Sequence, residues 1–245
     1  MSQTSPNANA LTVVLVHGAF ADASSWNGVV ELLQADGVHV IAPAVGLRGI
    51  AADSAYLAAI LGQIPGPVLA VGHSYGGAVI SNAATNAKNV KGIVFVAAFA
   101  PDDGEILGVV EAGSKDSVLN AALVPQQFPT GSGAQTATEL IIDPAQFRNA
   151  FAADLPEKQT ALLAATQRPA AEAAFSEPSG PPAWKNVPCW TVVATGDTAA
   201  GADVIRSMAQ RAGSDITEIE GSHVIMISQP EKVTDVIRKA IAAVG

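Results

Sequence analysis

The chain contains one cysteine, Cys189, in 245 residues. No disulfide can form within it, so its fold has to rest on burial and hydrogen bonding. Such usage fits a reducing compartment. Residues 1–10 have neither the basic start nor the apolar stretch of a secretory leader and read as a disordered polar tail. The expectation is a cytoplasmic protein, with export after removal of a leader left open. Cations are scarce as well: 13 Lys and Arg stand against 22 Asp and Glu, a formal charge of -9, and they are not clustered. That balance argues against nucleic acid as a partner. No apolar run approaches the roughly 18 residues of a membrane-spanning helix, so no membrane partner is expected either. The chain also lacks an H-E-x-x-H pair, a Cys/His ligand cluster and a G-x-G-x-x-G turn after a strand, and with them any sign of a metal or a nucleotide cofactor. A small-molecule ligand remains, and a homodimer stays open.

What is present is apolar and periodic. Hydrophobic residues make up 49 % of the chain and charged ones 14 %, enough for one sizeable core. Short β-branched runs recur at 12–17, 38–42, 68–73, 92–98, 190–195 and 215–220. All but the last are continuous rather than alternating, as in strands covered on both faces. Helical patterns lie between them. Ser24 or Ser25 is expected to cap one that ends at Asp36-Gly37, and Asp53 another that stops before Pro65. Further helices are expected from Tyr75 to about Ala87, near 203–211 and over 230–244. This alternation predicts a doubly wound α/β fold, a mainly parallel sheet of about six strands with helices on both faces. Residues 11–100 and 189–245 would form that core.

Residues 101–188 break the rhythm. They offer no convincing strand, only loop-rich stretches around helical patterns near 144–153 and 156–167, and they are too many for a structureless connection. The segment predicts a mainly helical cap inserted at the carboxyl edge of the sheet, where open α/β folds bind ligands. Phe20 from the first loop and Phe128, Phe147, Phe151, Phe175 and Trp184 from the cap are the candidates for lining a pocket there. Aromatic residues of this kind serve as readily for a cap's own core.

Gly72-His73-Ser74-Tyr75-Gly76 carries the chemistry. It follows the apolar run Val68-Leu69-Ala70-Val71 and fits G-x-S-x-G, a serine raised on a sharp turn from strand to helix between small neighbours. A hydroxyl is a poor nucleophile at neutral pH, so such a serine implies a base and an acid to orient it. Of four histidines, His17 and His73 end strands and His39 lies within one, which leaves His223 in a small-residue loop before the last helix. Asp197, just past a strand and a glycine, is the first candidate for the acid; Asp102 and Asp103 compete. The first helical turn after Ser74 and the loop His17-Gly18-Ala19-Phe20 can bring N–H groups to one point, Tyr75 with Ala19 first and Phe20 second, as an oxyanion site.

Together, Val14-Leu15-Val16-His17-Gly18-Ala19-Phe20, the 72–77 elbow, Phe95 to Pro101 and Glu220-Gly221-Ser222-His223 resemble the α/β-hydrolase superfamily. The chain is most similar to its small carboxylesterase group, which includes plant methyl esterases and hydroxynitrile lyases. The resemblance covers nearly all of the chain outside the cap and implies an esterase with the triad Ser74, Asp197 and His223, no cofactor, and a small ester as substrate. It also separates two reactions. Lyases of the group typically carry a threonine after the first-loop histidine and a lysine after the catalytic one, where this chain has Gly18 and Val224. A haloalkane dehalogenase or epoxide hydrolase would be expected to carry aspartate in place of Ser74. Lactonase, perhydrolase or acyltransferase chemistry on the same triad, or ligand binding without catalysis, are the alternatives.

Overall fold

A computed structural model describes residues 10–131 and 133–245. Of the tail expected over residues 1–10, all but Ala10 lies outside the described residues. Six parallel strands, β1 (Thr12–Val16), β2 (His39–Ile41), β3 (Val68–His73), β4 (Val90–Val96), β8 (Cys189–Ala194) and β9 (Asp215–Ile219), form the main sheet in the order β2-β1-β3-β4-β8-β9. Central strands β1, β3 and β8 are buried along their whole length, whereas the edge strands β2 and β9 expose residues. This is the continuous apolar signature of strands covered on both faces.

The chain winds outward from β1 to β2, then returns to place β3 on the other side of β1. That reversal opens a crevice at the carboxyl ends of β1 and β3. Val16 lies beside Gly72 in their register, so the loop after β1 meets the turn after β3. Flanking helices cover the sheet: Asn27–Ala35 packs on Pro230–Val244, and Ile50–Leu61 on Tyr75–Ala83. Among the described residues no helix is long and apolar enough to cross a membrane.

Two helix starts differ from expectation. Asp22, not Ser24 or Ser25, caps the turn Ala23–Trp26 that leads into the first helix; its carboxylate accepts the Ser24 N–H at 2.7 Å. Asp53 sits inside the first turn of Ile50–Leu61, behind Gly49, and its carboxylate is turned inward to accept from the Tyr75 hydroxyl at 2.8 Å and the Arg48 N–H at 3.2 Å. At the first start a better acceptor, Asp22, takes the cap, and at the second the donors of Tyr75 and Arg48 draw Asp53 away from it.

The segment between β4 and β8 departs further. Besides short helices, including Phe147–Phe151 and Glu157–Thr166, it builds an antiparallel sheet from β5 (Leu123–Pro129), β6 (Thr136–Ile142) and β7 (Ala170–Ala171), in the order β5-β6-β7. The expectation of no strand there is corrected. Pro125 and Pro129 argue against a strand in general, but β5 is an edge strand, where the missing N–H groups are tolerated. This cap is tied to the core beside β2: Ala171 N–H donates to Leu47 O at 2.8 Å, Arg48 pairs with Glu139 at 2.6 Å, and Arg168 donates to Val45 O at 3.0 Å.

Candidate active site

Ser74 stands at the end of β3 with φ 53° and ψ −125°, a conformation an L-residue holds only under constraint. The constraint is visible in its neighbours. A Cβ on Gly76 would lie 2.5 Å from Val16 O and 2.7 Å from His17 O, and one on Gly18 would lie 2.6 Å from Ser74 Cβ. Only glycine at both positions lets the β1 loop close against the elbow. The helix Tyr75–Ala83 starts directly after the serine, and the N–H groups of Tyr75 and Gly76 in its first turn have no acceptor within the helix. They and the positive end of the helix lie beside Ser74.

Asp197 follows β8, and His223 lies in the loop after β9. Both are about 1 % exposed. His223 Nδ1 donates to Asp197 Oδ2 at 2.8 Å, and the other carboxylate oxygen, Oδ1, accepts the N–H groups of Ala199 at 2.9 Å and Ala200 at 3.0 Å. An ionised carboxylate only accepts, so the imidazole hydrogen sits on Nδ1 and Nε2 is left as the basic nitrogen. Ser74 and His223 line the same cavity. The competitors for the acid drop out: Asp102 pairs with Lys185 at the surface, and Asp103 is exposed.

The two strand-end histidines support this arrangement. Fully buried His73 donates from Nε2 to the backbone oxygen of His223 at 3.0 Å, and the two rings lie 4.6 Å apart. Burial, with the charge of a protonated His223 acting second, holds His73 well below the usual imidazole range. It is therefore neutral, with a bare and unpartnered Nδ1. His17 donates from Nδ1 to Gly18 O at 2.9 Å and accepts at Nε2 from the Val45 N–H at 3.1 Å. Burial lowers its pKa too. Its two bonds pin the loop that carries Ala19 and Phe20, where Phe20 holds φ 61°. His39 contacts the Thr12 hydroxyl on the exposed edge strand, far in function from the others.

A cavity of about 310 Å³ opens over Ser74 and His223, and Ala19, Phe20, Phe151 and Phe175 are among the residues that line it. Three of the aromatic expectations are corrected. Phe128 lies on β5 under the Arg48 guanidinium, 4.3 Å from ring centroid to charge. Phe147 is buried in the cap against Phe151, at 5.2 Å between centroids. Trp184 is buried away from the cavity lining and donates to Pro101 O at 3.0 Å. Sequence reasoning also missed a buried acid in the wall, Glu111, whose only local signal is one charge within the apolar helix Leu107–Ala112. Among the described residues no group of three or more His, Cys, Asp or Glu side chains is arranged to hold a metal ion.

The fold recurs in solved structures. Polyneuridine aldehyde esterase is 21 % identical with a TM-score of 0.78, over 95 % of this chain and 99 % of that one. Tomato methylketone synthase I, complexed with β-ketoheptanoate as an H243A variant, is 22 % identical with a TM-score of 0.79, over 96 % and 99 %. The Arabidopsis methylesterase MES16 is 19 % identical with a TM-score of 0.78, over 96 % and 100 %. No curated protein sequence matches the chain. The profile of the alpha/beta hydrolase family matches residues 13–236. With that match, and a strained serine and a buried Asp–His pair at the carboxyl edge of a parallel sheet, the chain belongs to the alpha/beta hydrolase family.

Proposed function

We propose that the protein is a serine carboxylesterase acting on small esters, with Ser74, His223 and Asp197 as its triad. The observation that carries this reading is the buried 2.8 Å Asp197–His223 bond, which leaves a basic Nε2 in the same cavity as Ser74. Ser74 Oγ attacks the ester carbonyl carbon while His223 Nε2 takes its proton. Asp197 stabilises the imidazolium that forms. The carbonyl oxygen, now negative, is held by the N–H groups of Tyr75 and Ala19, with Phe20 next along the same loop. His223 then returns the proton to the departing alkoxide, and the alcohol leaves an acyl-Ser74. Water, deprotonated by the same nitrogen, attacks that ester and restores the serine.

Hydrolysis is favoured over cyanohydrin cleavage because, among the described residues, no lysine or arginine lines the cavity. Val224 follows the catalytic histidine and is buried, so the position offers no cation to a departing cyanide. The size of the cavity, about 310 Å³, suits small or aryl esters and lies at the low end of ligand pockets. The test is Ser74→Ala with p-nitrophenyl acetate. A fall in kcat of about 10⁴-fold or more is expected, together with loss of labelling by an activated phosphonate. Wild-type hydrolysis by the variant would end the proposal.

A further inference from the structure

Glu111 is the one carboxylate in the cavity wall that is almost wholly buried, at 7 % exposure. Among the described residues it has no cationic partner. Asn120 donates to its Oε2, and the Ser117 hydroxyl lies in short contact with its Oε1. That same hydroxyl oxygen is 2.7 Å from Ala199 O. Ser117 thus faces two acceptors with a single hydrogen. If it donates to Ala199, an ionised Glu111 is left with an acceptor against it; if it donates to Glu111, Ala199 O is left so. The group is one proton short whenever Glu111 is charged. A proton on Glu111 repairs the deficit, and burial raises its pKa in keeping with that. A ligand in the cavity can repair it equally well by bringing hydrogen-bond donors of its own.

We propose that Glu111 is a specificity determinant that recognises a protonated amine on the substrate, so the enzyme prefers esters carrying an ammonium group away from the ester bond. The inference rests on the carboxylesterase reading of the same cavity. An ammonium supplies both donors and positive charge, which a hydroxyl does not. The other titratable groups lining the cavity are Glu172, exposed at its wall, and His223; no lysine or arginine is among them. On the neighbouring loop Lys115 and Asp116 are exposed, and Asp203 is occupied by the Ser114 hydroxyl and the Lys115 N–H. Among the described residues no lysine or arginine in the wall repels an ammonium, and Glu172, being exposed to solvent, attracts it only weakly.

Methyl 4-(aminomethyl)phenylacetate and methyl 4-ethylphenylacetate differ only in ammonium against methyl, and the ratio of their kcat/KM values reads the preference directly. A ratio of about tenfold or more in favour of the amine is expected in the wild type. It should grow as pH rises through the Glu111 titration, because only the ionised acid attracts the cation. Glu111→Gln should bring the ratio to about one at every pH, since its amide reproduces the neutral acid by donating to Ser117 and accepting from Asn120. Glu172→Gln should leave most of the preference in place. A wild-type ratio near one, a ratio that survives Glu111→Gln, or one abolished only by Glu172→Gln overturns the assignment. If neither ester is hydrolysed and p-nitrophenyl acetate is not hydrolysed either, the esterase reading fails instead. The inference is then decided by calorimetric titration with benzylamine and benzyl alcohol: selective loss of benzylamine affinity in Glu111→Gln supports it, and equal affinity in both proteins refutes it.

Discussion

Replacing Gly18 by alanine tests the closure of the β1 loop onto the elbow. The new Cβ would stand 2.6 Å from Ser74 Cβ, 2.9 Å from His73 Nδ1 and 3.0 Å from His73 O. Ordinary contact begins at 3.4 Å, so the first gap must open by about 0.8 Å (3.4 − 2.6). Neither neighbour is free to give way. Ser74 is fixed in its turn, and the His73 ring is pinned to the backbone of His223. The loop carrying Ala19 and Phe20 therefore moves, and the proposed oxyanion donors move with it. A displacement near 1 Å in such a site costs about 10²-fold in rate, and overpacking costs about 1–3 kcal/mol in stability. Kinetics with p-nitrophenyl acetate should show the loss in kcat with little change in KM, as expected for an interaction made in the transition state. Gly37→Ala is the control: φ is +77°, nothing lies within 4 Å of the added carbon, and about 1 kcal/mol of stability should be lost with kcat intact. A Gly18→Ala enzyme with wild-type kcat would refute the proposed donor site.

Asp197→Asn keeps the shape of the acid but removes the charge and lets an amide face the imidazole; kcat should fall by about 10⁴-fold, and a loss below tenfold would remove Asp197 from the triad. Acid stability follows from the buried histidines. His73 and His17 have folded pKa values below their ordinary 6.5, so the unfolded chain binds more protons beneath that pH. Their contribution is full above pH 6.5 and is lost as pH falls toward the folded values, at up to about 1.4 kcal/mol per pH unit for each. Glu111, raised, works in the opposite direction with one proton. Urea midpoints should fall between pH 7 and pH 5 and fall less in His73→Gln; a flat or rising midpoint in the wild type contradicts the assignment. Hydrolysis of p-nitrophenyl esters should decline for acyl chains beyond about eight carbons, given the usual reach of a closed pocket, and a rate that keeps rising would show that the cap opens.

The central sheet was legible because its physics is local: strands buried on both faces leave runs such as Val68 to Val71 with no polar interruption. The elbow was legible for a related reason, since close backbone approach admits only glycine. The cap was not. Its β5–β6 pairing joins residues whose alternation is weak and whose prolines signal the reverse, and it is decided by contacts with the core around Leu47 and Arg48. The proposed triad could be ordered by elimination among four histidines, but the roles of His17 and His73 depend on distant backbone atoms, Val45 N and His223 O. The pocket was read least well. Phe128 and Trp184 are equally aromatic in sequence, and only the path of the cap decides that they serve a guanidinium and a carbonyl instead of the cavity.

The bond from His73 to the His223 carbonyl spans 150 residues, and the cap is inserted between them. Contacts of such separation form late, after long loops have been closed. A chain emerging from the ribosome thus carries Ser74 through most of its synthesis without His223 beside it. On the proposed mechanism Ser74 has no base until β9 docks, so a chain stopped before residue 223 should hydrolyse no ester. The inserted segment also reaches the neighbours of both proposed partners of Ser74, through Asp154 bonded to Ser222 and Ser117 bonded to Ala199, so a change in its shape would be felt at His223 and Asp197 as well as in the cavity wall.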